Sequence, residues 1–231
     1  MQEFEFELKY QLNSRRAAAV RCLLRARCVP DPKYPENVVA SAYYDTLGLD
    51  CLQEKLNSDK SKTKVRLRWY ERSPGVPAGE ESFLEIKRRL GLRRQKTRLP
   101  TDLPASRLVD MSLSHPDLRN AIRVLPADSG LVPGRLWPCL VVRYRRHRFV
   151  EPLTGSRISL DVEIHTGRVS HRLAAAPRPQ PLQLAVLEVK NLDGQLPANL
   201  RAIEQLGCRS ASFSKYAACF LSTGTTDQLI A

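Results

Sequence analysis

The feature that most constrains this chain is a two-residue alternation of apolar and charged side chains, repeated in one segment after another. A β-strand sends successive side chains to opposite faces, so this alternation marks strands with one face in an apolar core. In EFEFELKY (3–10), Glu3, Glu5, Glu7 and Lys9 oppose Phe4, Phe6, Leu8 and Tyr10. In KVRLRWY (64–70), Lys64, Arg66 and Arg68 oppose Val65, Leu67 and Trp69. FLEIKRR (83–89) sets Glu85 and Lys87 against Leu84 and Ile86, and residues 93–99 group Arg94, Lys96 and Arg98. LVVRYRRHRFV (140–150) carries Tyr144, Arg146 and Arg148 on one side, and RISLDVEI (157–164) carries Arg157, Ser159, Asp161 and Glu163. LAVLEVK (184–190) ends with Glu188 and Lys190 on one face, and VVASAYY (38–44) completes a set of about eight predicted strands.

Helical stretches are expected between the strands. Ser14 is read as the N-cap of a helix over 15–27, and Thr46 as the start of a short helix through Leu56. Residues 105–125 have helical spacing broken at Pro116, and Pro197 and Gly207 bracket a helix over 198–206. Ser212 is read as the cap of a last helix, 213–222. Loops are marked at 73–81, 126–138 and 174–183, and none shifts composition enough to divide the chain. A single domain over residues 1–231 is therefore expected.

Charge narrows the partners. The 231 residues hold 37 Lys+Arg against 24 Asp+Glu, a net +13, which expects a polyanion: nucleic acid, anionic lipid or a phosphate ligand. With 42% hydrophobic and 26% charged residues the composition is that of a globular chain. No apolar run approaches the roughly 20 residues of a membrane span, and the acidic, alternating N-terminus is unlike a signal peptide. The six cysteines show no CxxC spacing, which expects reduced thiols and a cytoplasmic location. Neither GxGxxG nor GxxxxGK[ST] occurs.

Any one charged strand face is most simply a surface in water. Six or more such faces, each opposite an apolar face suited to a cover of helices, point elsewhere. If the apolar faces pack outward against helices, the charged faces point inward. The expected fold is α+β: a closed antiparallel eight-stranded β tunnel barrel with helices packed outside, whose interior has room for side chains or one small ligand. Lys and Arg collected there would repel unless a polyanion neutralised them. Carboxylates among them would supply oxygen ligands for a divalent metal bridging phosphates.

At this point the residues resemble a family. Glu5-x-Glu7-x-Lys9 matches the ExExK signature of the triphosphate tunnel metalloenzymes (CYTH-like). The ordered segments Lys9-Tyr10, SAYYDT (41–46), KVRLRWY (64–70), FLEIKRR (83–89), YRRHRF (144–149), RISLD (157–161), LEVK (187–190) and SFSKY (212–216) are similar to the VTC polyphosphate polymerase branch. The resemblance implies transfer of the ATP γ-phosphoryl group to a growing inorganic polyphosphate chain, with release of ADP. It implies catalytic cations at Lys9, Arg66, Arg68, Lys87, Arg146, Arg157 and Lys215. Phosphate or polyphosphate contacts are implied at Lys64, Lys96, Arg98, Lys190 and Ser214. Glu188 is implied as the main ligand of Mn²⁺ or Mg²⁺, with Glu5, Glu7 and Glu85 as further ligands or bases. Eukaryotic members carry an SPX domain and a membrane region, and this chain resembles the stand-alone bacterial form. A separate membrane partner is compatible with that form, and a nucleic-acid partner is not expected.

Blander roles stand beside these. Glu188 could pair with Lys190 or an arginine, Glu5 and Glu7 could keep the cations apart, and Asp161 and Lys190 could act as internal ion-pair partners. Lys215 could be an exposed lysine at a helix start. A complete ExExK is also more typical of the hydrolases, so a triphosphatase acting on inorganic or nucleoside triphosphate is an alternative. A non-catalytic polyphosphate-binding module is another.

Overall fold

The computed structural model describes residues 6–71, 80–91, 93–125, 135–173, 180–208 and 210–224. Its strands are β1 (Phe6–Asn13), β2 (Val29–Pro30), β3 (Glu36–Asp45), β4 (Ser61–Glu71), β5 (Ser82–Leu90), β6 (Arg93–Thr101), β7 (Trp137–Val150), β8 (Arg157–Val169) and β9 (Leu184–Asn191). Its helices are α1 (Ser14–Arg27), α2 (Asp50–Leu56), α3 (Ala105–Leu108), α4 (Pro116–Asn120), α5 (Ala202–Gln205) and α6 (Lys215–Leu221). Each alternating segment is a strand, and β2 is a short addition. Glu3, Phe4 and Glu5 lie outside the described residues, as do 73–79, 126–134 and 174–179 of the expected loops.

Helix ends shift where the local geometry decides. β1 runs to Asn13 and leaves it extended, so Asn13 rather than Ser14 caps α1, its side chain accepting from the Arg16 N–H at 2.8 Å. Ser214 rather than Ser212 caps α6. The 105–125 stretch forms α3, α4 and a 3-10 turn over Ala121–Val124 instead of one kinked helix. Pro116 opens α4, where its missing N–H has no intrahelical partner to lose.

The chain divides into two compact units. The first comprises Met1–Asn37, Tyr144–Ile164 and Pro181–Phe213. In it β1 pairs with β9, β9 with β8, and β2 with β7, all antiparallel. Tyr10 and Leu12 of β1, Ile158 and Leu160 of β8, and Leu187 and Val189 of β9 pack against Ala17, Val20 and Leu24, which recur along one face of α1. Leu200 and Ile203 close this core.

The second unit comprises Val38–Arg143, His165–Gln180 and Ser214–Ala231. Here β3, β4, β5 and β6 pair in sequence order, all antiparallel. Val65, Leu67 and Trp69 of β4 and Leu84 and Ile86 of β5 pack against Ala105, Leu108, Leu118 and Ile122. The Tyr44 hydroxyl donates to the Leu118 carbonyl at 2.6 Å, which satisfies a phenol buried among apolar groups. In both units the apolar face of the strands is the one that helical segments cover, as the alternation predicts.

The expected closed ring is corrected. The strands hydrogen-bond in the order β1-β9-β8-β7-β3-β4-β5-β6 with β2 added on β7, and β1 and β6 end an open path among the described residues. The ends show why. The outer edge of β1 is taken by a bridge from Tyr10 to Ser210 and by the Ala211 N–H donating to the Lys9 carbonyl. β6 reads RRQKTRLPT, and repeated cations with a proline are features that keep an edge strand from pairing further.

Candidate active site

Register places the charges of the second unit. Across β4, β5 and β6 the partners are Lys62–Arg89–Arg94, Lys64–Lys87–Lys96, Arg66–Glu85–Arg98 and Arg68–Phe83–Pro100. Residues two apart on a strand share a face, so these rungs stack on the side opposite Val65, Leu67, Leu84 and Ile86. The rungs bring together nine cations and one carboxylate. Like charges directly opposite each other destabilise a strand pair, so nothing in the sheet itself favours this pattern.

Glu85 organises the inner end of the ladder. It is 1% exposed, and one of its oxygens accepts from Arg66 Nε at 2.9 Å and Arg66 Nη2 at 2.7 Å. Arg68 lies 3.6 Å from the same oxygen, and Arg98 lies 3.9 Å from the other. Burial alone would push the Glu85 carboxyl up, but Arg66 and Arg68 hold it well below the usual carboxylate range. Arg66 also donates to the Tyr43 hydroxyl at 3.0 Å, and the Arg98 guanidinium lies over the Phe83 ring. With Arg66 and Arg68 at 12% and 10% exposure, the inner end of this face is not a solvated surface.

A second arrangement in this unit holds Lys215. Asp45 is fully buried and accepts from the N–H groups of Thr46, Cys51 and Leu52 and from the Tyr216 hydroxyl, the last at 2.7 Å. Burial pushes the Asp45 carboxyl up, while the Tyr216 and amide donors pull it back. The Tyr216 ring stacks on Tyr43 at 5.0 Å between centroids, and Tyr43 in turn receives Arg66. Lys215 is the first residue of α6 and is buried, and Lys64 Nζ donates to the Ser214 hydroxyl at 3.2 Å. The exposed helix-start lysine is thus not what forms. Tyr43, Asp45 and Tyr216 stand inside the SAYYDT and SFSKY segments, but local spacing gives no sign that they meet.

The first unit carries its own ionic cluster. Arg146 of β7 forms a two-pronged bond to the fully buried Asp161 of β8, Nε to Oδ1 at 2.6 Å and Nη2 to Oδ2 at 2.7 Å. Burial opposes the Arg146 charge, yet Asp161 holds its guanidinium well above the ordinary arginine range. Glu188 of β9 accepts from Arg146 Nη2 at 3.3 Å and lies 3.9 Å from Lys9 Nζ, which also pairs with Glu7 at 3.1 Å. Register supports this grouping, since Lys9 faces Glu188 and Glu188 faces Ser159, while Glu7 faces Lys190 and Lys190 faces Arg157. Arg157 and Lys190 line an open pocket of about 390 Å³ with Thr154, Ser156 and Asn191.

Among the expected ligands, Glu7 and Glu188 are the carboxylates that could hold a divalent ion. Both carboxylates pair with the Lys9 ammonium, at 21% and 12% exposure, and Glu188 also accepts from Arg146. No group of three or more His, Cys, Asp or Glu that could hold a metal occurs among the described residues. Two carboxylates completed by substrate phosphates and water is how magnesium is commonly bound. Glu85 is instead surrounded by arginines, and Glu5 lies outside the described residues. The other expected residues fall into two sets: Lys9, Arg146, Arg157 and Lys190 in the first unit, and Lys64, Arg66, Arg68, Lys87, Lys96, Arg98, Ser214 and Lys215 in the second.

Compared with protein families, residues 4–223 match the VTC domain. The chain belongs to the VTC domain family. The ordered motifs from ExExK to Ser-Lys-Tyr therefore identified the family. The comparison of this VTC domain with curated proteins found no match. Among solved structures it is similar to a candidate adenylate cyclase from Vibrio parahaemolyticus, at 14% identity and a TM-score of 0.47, covering 96% of this chain and 99% of that one. A candidate adenylate cyclase from Bacillus halodurans gives 12% identity and a TM-score of 0.44, covering 99% of this chain and 91% of that one. A chain of the Schizosaccharomyces pombe Mediator head module gives 11% and 0.40, covering 98% and 94%. Likenesses of this degree carry no inference about chemistry. No helix among the described residues is long and apolar enough to cross a membrane, which says nothing about strands.

Proposed function

We propose that this VTC domain is a metal-dependent polyphosphate polymerase acting on ATP and inorganic polyphosphate. A terminal oxygen of the chain attacks the γ-phosphorus of ATP, the bond to the β-γ bridging oxygen breaks, and ADP leaves with the electron pair. Family membership supports the reading. The observation that carries it is that the inner end of the cation-rich face, Arg66 and Arg68 around Glu85, is shielded from water at 12% and 10% exposure. A cationic face kept from solvent is stable when an anion occupies it.

Phosphoryl transfer needs positioning and charge more than covalent chemistry from the protein. In this reading Arg66 and Arg68, aligned by Glu85 and Tyr43, present planar forks to phosphate oxygens. Lys64, Lys87, Lys96 and Arg98 supply further charge along the chain, and Ser214 and Lys215 are steadied by the Tyr216–Asp45 bond. Lys9, Arg146, Arg157 and Lys190 bind phosphates in the other unit, Arg146 with its orientation set by Asp161. Glu188 and Glu7 would hold Mn²⁺ or Mg²⁺, which would supply positive charge against the phosphates. The cytoplasm is the proposed location, since it is the compartment that keeps free thiols such as these six reduced.

Phosphorus NMR of the protein with ATP and Mn²⁺, with and without a short polyphosphate primer, tests this. The expected result is growth of internal-phosphate signal matched by ADP. Orthophosphate and ADP without chain signal would overturn the polymerase in favour of a triphosphatase. Polyphosphate binding without turnover in Mn²⁺ or Mg²⁺ would reduce the domain to a binding module.

A further inference from the structure

The outermost rung of the ladder, Lys62, Arg89 and Arg94, is unused by the proposed reaction. It shares the face of Lys64, Lys87 and Lys96, one step of two residues further along each strand. That step is about 6.6 Å, and adjacent strands stand about 4.8 Å apart, so the rung continues the same cationic track. Its position is at the solvent end. Arg89 and Arg94 are exposed, and Leu90 in the connecting hairpin is 67% exposed. Gly91, at φ +58°, takes the left-handed conformation at the turn, where the Arg89 Nε donates to its carbonyl at 2.8 Å. The inner rung has Glu85 between Arg66 and Arg98, whereas the outer rung has no carboxylate in register. No ion pair to Lys62, Arg89 or Arg94 occurs among the described residues.

We infer that Lys62, Arg89 and Arg94 form an outer subsite that grips the distal phosphates of a long polyphosphate chain, making affinity depend on chain length. This rests on the polyphosphate reading above. A triphosphate bound at Arg66 and Arg68 is too short to reach two rungs further out, and a polymer is not. A linear polyanion of closely spaced charges suits three cations at strand spacing, and the rung offers no aromatic ring on which a base could stack.

The test is titration calorimetry of wild type and the Lys62→Gln, Arg89→Gln, Arg94→Gln triple variant. The probes are inorganic triphosphate, long-chain polyphosphate and a single-stranded RNA of similar charge, over a range of salt. The expected result is unchanged triphosphate affinity and a loss of tenfold or more for long polyphosphate. The slope of log K against log salt should fall by about two, because each contact to a single-stranded polyanion contributes roughly 0.7. Equal long-chain affinity in both proteins would overturn the outer subsite while leaving the polymerase reading intact. Wild type that binds no polyphosphate would overturn both. RNA bound more tightly than polyphosphate, and weakened by the same variant, would overturn polyphosphate as the occupant. Equal loss for triphosphate and long chain would show that the rung is no separate subsite. Arg94→Gln alone, at an exposed edge-strand position, guards against a folding defect and should give a smaller loss with the same chain-length selectivity.

Discussion

Glu85→Gln isolates the charge at the centre of the ladder, because glutamine keeps the volume and removes the carboxylate. The side chain is 1% exposed, and Arg66 gives it two bonds at 2.7–2.9 Å, with Arg68 and Arg98 nearby. Removing one partner of a buried ion pair leaves the other charge uncompensated, at a cost of about 3–5 kcal/mol. A protein of this size loses about 2–4 °C in Tm per kcal/mol, so scanning calorimetry should find Tm lowered by roughly 6–20 °C. Inorganic triphosphate should then raise the variant's Tm more than that of wild type. In wild type the phosphate competes with Glu85 for the guanidinium donors, and in the variant it does not. Acid provides a second check. The folded carboxyl is held below the unfolded value of about 4.3, so its contribution is present above that pH and is lost as pH falls through the folded value. The gap between wild type and variant should therefore narrow on acidification below about pH 4. A Tm within 2 °C of wild type would refute the claim that these arginines depend on Glu85. A lowered Tm without the larger triphosphate response would refute the link between Glu85 and phosphate binding.

Three further outcomes follow from the same structure. Glu188→Gln should abolish metal-dependent turnover in the phosphorus NMR assay while long-chain polyphosphate still binds by calorimetry; unchanged turnover would exclude Glu188 as a metal ligand. Asp45→Asn replaces an acceptor of several hydrogen bonds with a group that also donates, so it should lower stability by about 1.5–3 kcal/mol in urea unfolding and raise the KM for ATP through misplaced Tyr216 and Lys215. An unchanged KM would leave Asp45 only a structural role. Leu84→Ala, at a fully buried position in the second unit's core, should lose about 2–5 kcal/mol in urea unfolding with little effect on triphosphate affinity per folded molecule.

Alternation alone located every long strand, since one side-chain period distinguishes a strand face from its opposite without reference to the rest of the chain. It also sorted Val65, Leu67 and Trp69 from Arg66 and Arg68, and the motif order gave the family. Pairing was not legible. Arg146 is bound by Asp161, fifteen residues on, and Tyr216 reaches Asp45 across 171 residues. Such contacts depend on which strands become neighbours and in what register, which local spacing does not encode. The same limit explains why β1 and β6 end an open path among the described residues where a closed ring is expected. Edge behaviour depends on what meets the edge, and Ser210 and Ala211 meet β1 from far along the chain. Local competition between neighbouring cap formers moved the helix caps to Asn13 and Ser214, because a cap needs extended backbone and the strand and loop ends decide where that is. The sequence by itself determined that charged faces exist and which residues compose them. Tertiary structure alone decided that Arg66 and Arg68 are shielded from water, that Glu85 is committed to arginines, and that Glu7 and Glu188 share Lys9. Burial and ionic partnership are properties of the packed chain, created only when distant strands come together.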